Sequence, residues 1–95
     1  MTTIESVLSQ RKYEFENFLE LFVPENKREW LNELKKRNIT EFILFFKQFI
    51  IGKNIDSVIE TLLNKVDMKK EDIEPKYIDG FKQYLELFSE FINEL

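Results

Sequence analysis

The chain has 95 residues, with 14 Lys and Arg against 18 Asp and Glu, so its formal net charge at neutral pH is −4. Soluble domains usually contain ~100–150 residues, so this length predicts one domain spanning residues 1–95. The sequence contains no Cys and no His. This excludes disulfides, thiol chemistry, imidazole acid–base catalysis and the usual zinc and haem sites. The mild acidity also disfavours general binding to polyanions.

Apolar residues make up 43% of the chain and aromatic residues 15%, including ten Phe, which is typical of a folded protein. Ala is absent while Lys, Ile, Asn and Phe are abundant, a usage that indicates an AT-rich genome. The longest apolar run, residues 42–46, is far shorter than the ~20 residues of a membrane span. The first residues show no basic stretch followed by a hydrophobic block, so we expect no secretory signal and a cytoplasmic location.

The first two helices are predicted from apolar spacing and from proline. Residues 2–22 carry apolar side chains at three- and four-residue intervals, and Arg11 occupies the remaining position of this stripe. The stripe consists of Ile4, Leu8, Phe15, Phe18 and Phe22, and it is widened by Val7, Leu19 and Leu21. Pro24 suits the first turn of a second helix ending near Arg37, with acidic residues at its start and basic residues at its end.

The third helix is predicted to begin after a cap at Asn38 or Thr40 and to end near Ile51, with Gly52 placed to stop it. Eight of its twelve residues from position 40 to 51 are apolar. Because these side chains surround most of the helix, we expect it in the centre of the domain.

A fourth helix is predicted to be capped by Asn54 or Asp56 and to end near Asp67. Pro75 is expected to open a long last helix, since proline favours the first helical turn. Apolar side chains then follow an uninterrupted three-four spacing, namely Ile78, Phe81, Leu85, Phe88, Ile92 and Leu95. We therefore predict an all-α fold, a compact bundle of about five helices with the third helix central and a long C-terminal helix.

A second apolar stripe on the last helix makes its apolar arc wider than one core normally needs. Tyr84 and Phe91 belong to this stripe with Tyr77, and Leu87 lies beyond it. We expect Tyr84, Leu87 and Phe91 to bind a partner. Tyr13, on the opposite outer side of the first helix, is a further candidate partner contact, although single exposed aromatics are common.

Gly80 leaves two alternatives open for the last helix. Either another helix crosses closely at Gly80, or the helix begins after it with Asp79 as its cap.

Arg11 also has two interpretations. It lies at the edge of the core with its head group in water or paired with a Glu of a neighbouring helix. Alternatively it sets the register of a subunit interface, which would favour a homodimer.

Charge is unevenly distributed, because residues 27–70 carry ten basic and six acidic groups while both flanking segments are acidic. The basic residues either balance the acidic first and last helices or bind nucleic-acid phosphates. The candidate nucleic-acid contacts are Lys27, Arg28, Lys35, Lys36 and Arg37. Similarly, Glu86, Glu90 and Glu94 form either a solvated face or an acidic ridge that receives a basic partner.

Catalysis has little support in the sequence. No serine has an activating partner motif, no glycine-rich phosphate loop occurs, and no metal or cofactor site can be assembled. No motif identifies a family. We therefore expect a non-catalytic protein–protein interaction module, a regulator, inhibitor or adaptor encoded by a phage, virus or plasmid. The alternative is a nucleic-acid-associated regulator that binds through the basic middle segment.

Overall fold

The computed structural model describes residues 4–50 and 53–94. In these ranges the chain forms five α-helices and two short 3-10 helices, and it forms no β-strand. The α-helices are α1 (Ile4–Phe22), α2 (Glu29–Lys35), α3 (Ile39–Ile50), α4 (Ile55–Lys65) and α5 (Pro75–Asn93). The 3-10 helices are Glu25–Lys27 and Lys70–Asp72. The predicted all-α bundle of about five helices is confirmed. The predicted stop at Ile51 and Gly52 lies outside the described residues, as does Leu95 of the last apolar stripe.

Asparagine caps both α3 and α4. The Asn38 Oδ1 atom accepts a hydrogen bond from the backbone N–H of Glu41 at 2.8 Å, and Asn54 Oδ1 accepts from Ser57 N–H at 2.8 Å. Each bond satisfies one of the free N–H groups at a helix start. Of the cap alternatives in the sequence, the asparagine is therefore the correct one at both helices.

The second helix differs from its prediction, because the segment after Pro24 is not one continuous helix. It forms the 3-10 turn Glu25–Lys27, breaks at Arg28 and continues as the short α2. At the break, Arg28 Nε donates to the carbonyl oxygen of Val23 at 3.0 Å, and its Nη2 donates to that of Glu20 at 3.3 Å. These carbonyls lie at the end of α1, where they lack partners within the helix. The Arg28 side chain therefore caps α1 at the point where the following helix is interrupted.

Five fully buried phenylalanines from α1, α3 and α5 form the middle of the core, namely Phe15, Phe42, Phe46, Phe81 and Phe88. The rings of Phe46 and Phe88 lie 4.5 Å apart, and those of Phe15 and Phe46 lie 5.1 Å apart, both edge to face. This is the favourable arrangement of aromatic pairs. The helix α3 packs against α1, α4 and α5, as its expected central position requires. One strip of α3 still reaches the surface at Leu44, which is 58% exposed.

Gly80 lies within α5, so the alternative in which Asp79 caps a later helix start is wrong. A methyl group built at Gly80 would have Phe18 Cε1 of α1 as its nearest atom, at 3.7 Å. That distance is an ordinary van der Waals contact. The neighbouring helix therefore approaches through a side chain and leaves room for a β-carbon.

The end of α4 is closed by a left-handed residue, Asp67, with φ 55°. Met68 N–H donates to Leu63 O at 2.9 Å, and Asp67 N–H donates to Asn64 O at 3.2 Å. This pair of bonds is a Schellman motif, in which glycine usually occupies the left-handed position. The predicted end of the fourth helix near Asp67 is thus confirmed.

Candidate interaction groove

The site begins with the antiparallel packing of α1 and α5. Near the end of α1, the ring of Phe22 lies 5.8 Å from that of Phe81. Further toward the start of α1, Phe18 lies 5.1 Å from Tyr84, and Arg11 contacts Tyr84 in turn. Later residues of α5 thus meet earlier residues of α1. Two antiparallel helices leave a long surface furrow on each side of their contact line.

One stretch of this furrow is a groove of about 370 Å³. We call it the α1/α5 groove, and it is lined by Arg11, Glu14, Tyr84, Leu87, Phe88 and Phe91. It brings together three of the four predicted partner contacts, together with the residue predicted to set oligomer register. Glu14 and Phe88 also line the groove, although the sequence did not single them out as site residues. Glu14 could have been found from its position three residues after Arg11.

Leu87 is the most exposed of the large apolar residues in the described ranges, at 68%. Tyr84 and Phe91 are half-buried, and Phe88 beneath them is 1% exposed. Side chains at these spacings share one side of an α-helix. The groove therefore presents a continuous apolar surface whose floor belongs to the core and whose outer edge is in solvent.

Tyr84 is fixed within the groove. Its hydroxyl donates a hydrogen bond to the backbone oxygen of Arg11, and its ring lies 5.8 Å from that of Phe88. Burial raises the pKa of the Tyr84 phenol well above its usual range, and the negative charge of Glu14 raises this pKa further. The hydroxyl is therefore a neutral donor whose hydrogen bond goes to α1.

Arg11 forms an ion pair with Glu14 of its own helix. Its side chain is 40% exposed, as expected for a residue at the edge of the core with its head group in water. The expected alternative to water was a Glu of a neighbouring helix, but the observed partner is Glu14, one turn later on the same helix. A role for Arg11 in setting the register of a homodimer stays a prediction.

Tyr13 does not belong to the groove. Its side chain is 60% exposed, and two residues along α1 place it about 160° around the helix from Arg11. The structure thus separates Tyr13 from Tyr84, Leu87 and Phe91. As a partner contact it would belong to a second surface.

An ion pair between Lys12 and Glu16 is a feature that the sequence analysis missed. Lys12 Nζ lies 2.7 Å from Glu16 Oε2, and their side chains are only 13% and 10% exposed. The same ammonium donates to the backbone oxygen of Lys35 at 3.3 Å and lies 5.9 Å from the centre of the Phe42 ring. Lys12 therefore links α1 with the end of α2 and with α3. Its spacing of four residues from Glu16 was the available signal.

The candidate nucleic-acid contacts mostly have partners within the chain. Lys27 Nζ donates to the backbone oxygen of Asp67 at 2.6 Å, and Arg28 caps α1 as described above. Lys35 pairs with Glu20 of α1. Of these three contacts, only the Lys35–Glu20 pair joins a basic side chain to a carboxylate of an acidic helix, as the charge-balance interpretation expects. The hydrogen bonds of Lys27 and Arg28 go to backbone oxygens.

The other two candidates, Lys36 and Arg37, are exposed at the end of α2. Lys36 Nζ lies 3.4 Å from a carboxylate oxygen of Glu33. The Arg37 guanidinium lies 5.7 Å from the centre of the Phe45 ring, within cation–π range.

A larger groove of about 510 Å³ lies beside Lys27. Its lining mixes both signs of charge and consists of Asn26, Lys27, Glu29, Trp30, Glu33, Lys65, Val66 and Asp67. Phosphate backbones are bound by surfaces on which positive charge accumulates. Three carboxylates beside two ammonium groups give no such accumulation in this groove.

Within residues 4–50 and 53–94, no group of three acidic side chains is arranged to hold a metal ion. None of the helices in those ranges is both long and apolar enough to span a membrane.

No protein-family model matches the chain, and comparisons with curated proteins and with solved structures found no match either.

Proposed function

We propose that the chain is a non-catalytic protein–protein interaction module and that the α1/α5 groove is its contact surface. The observation that carries the proposal is the 68% exposure of Leu87 beside the half-buried rings of Tyr84 and Phe91. Leaving a large apolar side chain in water sacrifices most of its burial free energy, roughly 1.5–3 kcal/mol for a leucine. A partner protein would recover that free energy, and Tyr84 and Phe91 supply the aromatic contacts enriched at such interfaces.

The short acidic chain favours a role as a regulator, inhibitor or adaptor acting in the cytoplasm, encoded by a phage, virus or plasmid. Nucleic-acid binding through the middle segment is the second candidate. It has less support because Lys27, Arg28 and Lys35 already have partners within the chain.

The test places a photo-crosslinking amino acid at position 87 or, as a control, at position 44. Leu44 is a suitable control because it is 58% exposed in the middle of α3 and lies outside the groove. The tagged variants are expressed in host cells, the lysates are treated with or without nuclease, and adducts are identified by mass spectrometry.

A protein adduct at position 87 that survives nuclease and is absent at position 44 is the expected result. An adduct with the chain itself would support a homodimer. Equal labelling at both positions, or no adduct at position 87, would contradict the groove as the contact surface. Adducts that disappear with nuclease would support the nucleic-acid alternative.

A further inference from the structure

Acidic side chains border the outer edge of the α1/α5 groove. At about 100° per residue, Glu94 and Glu90 lie about 20° and 60° around α5 from Leu87, on the side away from Phe91. Both glutamates are exposed, as is Glu86 one turn earlier. The apolar strip of the groove thus passes directly into a row of carboxylates.

Within the part of the chain that the structure describes, Glu86, Glu90 and Glu94 form no ion pair with a Lys or Arg. The last basic residue of the chain is Lys82, and its ammonium lies 3.2 Å from Asp56 Oδ1 of α4. On the α1 side of the groove, the guanidinium of Arg11 is paired with Glu14. A molecule seated on Leu87 therefore meets net negative charge along its α5 side.

This charge disfavours a second copy of the chain as the occupant. Antiparallel pairing of two α5 helices through Leu87 would place Glu86, Glu90 and Glu94 of both copies along one interface. Like charges facing each other across an interface cost free energy and suppress that pairing.

The form of the groove favours a helical occupant. An extended peptide would bring backbone N–H and C=O groups against Leu87 and Phe91, which offer them no hydrogen bonds. A helix satisfies those groups internally and presents anchors at positions i, i+3, i+4 and i+7. Tyr84 to Phe91 spans seven residues, about 10.5 Å at 1.5 Å per residue, which matches two turns of such a helix.

We infer that the α1/α5 groove receives an amphipathic helix of another protein, whose apolar face packs on Leu87 and Phe91 and whose flanking Lys or Arg residues pair with Glu90 and Glu94. The inference rests on the proposed function because it specifies the partner for the same groove. In this arrangement the carboxylates decide which amphipathic helices bind, because they favour helices with flanking Lys or Arg. The apolar contact with Leu87 and Phe91 supplies the binding free energy.

The experiment uses a displayed library of 18-residue helical peptides with fixed leucines at heptad spacing and with Lys, Glu or Gln at the flanking positions. Peptides are selected on the whole chain and counter-selected on Leu87→Asn. We expect the Leu87-dependent pool to become enriched in Lys at its flanks. The Kd of its best member should rise roughly tenfold for a variant in which all three glutamates of the row are neutralised, since two of them pair with the peptide. That variant changes Glu86, Glu90 and Glu94 to Gln.

A matched control changes the same number of exposed carboxylates elsewhere, namely Glu25, Glu60 and Glu71 to Gln, and should leave the Kd nearly unchanged. Leu87-dependent peptides without enrichment in Lys would overturn the inference and leave the groove as an interaction surface. A selection that yields no Leu87-dependent peptide would count against both the inference and the proposed function. Circular dichroism verifies that each variant keeps its helical content.

Discussion

The hydroxyl of Tyr84 on α5 donates a hydrogen bond to the backbone oxygen of Arg11 on α1, joining residues 73 positions apart in sequence. The same tyrosine lines the α1/α5 groove. The bond therefore joins the two helices that form the walls of the groove. A partner would bind a surface that the fold has already ordered, which lowers the entropic cost of association.

Replacing Tyr84 with Phe tests this bond and its pH dependence. At pH 8 we expect Tyr84→Phe to lower the free energy of unfolding by about 1 kcal/mol, the usual worth of one hydrogen bond. Above pH ~10 the unfolded phenol ionises while the buried one stays protonated, since burial raises its pKa in the folded state. The contribution of Tyr84 is thus complete below pH ~10 and is lost progressively above it.

Urea denaturation of both proteins at pH 8, 10 and 11 measures this effect. Taking the difference between the two proteins removes the contributions of other titrating groups that they share. The stability advantage of the wild type should shrink as the pH rises above 10. An advantage that stays constant from pH 8 to 11 would show that the Tyr84 phenol ionises equally in both states.

The sequence predicted the buried face of α5 well, although it left the start of the helix open at Gly80. Ile78, Phe81, Leu85, Phe88 and Ile92 were expected to be buried, and all five are at most 5% exposed. Leu87 was expected to extend beyond what the core covers, and it does. The uninterrupted three-four spacing of these five residues sets the orientation of the helix, although a second apolar stripe lies beside it.

The pattern of α1 was ambiguous, and the predicted stripe is buried only in part. Phe15 is in the core, and Leu8, Phe18 and Phe22 are partly buried against it. Ile4 and Leu21 were expected inside but are 65% and 59% exposed, while Glu16, which was not expected inside, is buried with Phe15. The reason is that α1 packs against α5 on one side and against α2 and α3 on another. Two adjacent stripes therefore make contacts, and spacing alone does not rank them. The bond from Tyr84 to a backbone carbonyl has no sequence signature at all.

The ion pair between Lys12 and Glu16 should show strong energetic coupling. Replacing Lys12 by Met leaves the Glu16 carboxylate with its side chain only 10% exposed and without its ammonium partner. We expect a loss of about 2 kcal/mol in unfolding free energy, somewhat below the value for a fully buried pair. Replacing both residues by Met should cost less than the two single changes together, since apolar replacements of buried pairs are often nearly neutral.

A double-mutant cycle of urea denaturation measures the coupling, and the chain offers a matched control. Lys36 and Glu33 form an ion pair whose side chains are 73% and 65% exposed. The same four-protein cycle at that pair should give about 0.5 kcal/mol or less. Equal coupling at both pairs would mean that burial contributes nothing to the Lys12–Glu16 interaction.

Replacing Gly80 with Ala should stabilise the protein. Gly80 lies inside α5, and an added β-carbon would stand 3.7 Å from Phe18 Cε1, an acceptable contact. Alanine favours a helix interior over glycine by ~0.5–1 kcal/mol. For a chain of this size that gain corresponds to a rise in Tm of about 2–8 °C, measurable by thermal circular dichroism. A lower Tm for Gly80→Ala would mean that α1 and α5 tolerate no β-carbon between them.

Asp67 provides a separate test of backbone conformation, because its φ of 55° is unfavourable for most residues but not for glycine. Its side chain is 98% exposed, and its carboxylate lies 3.9 Å from Lys27 Nζ, so loss of the carboxylate should cost little. Asp67→Gly should therefore raise the free energy of unfolding by roughly 0.5–1 kcal/mol. Asp67→Ala removes the same carboxylate without relieving the backbone and should lower it, as urea denaturation would show. If Gly and Ala have equal effects, the left-handed conformation at the end of α4 is not what limits stability at this position.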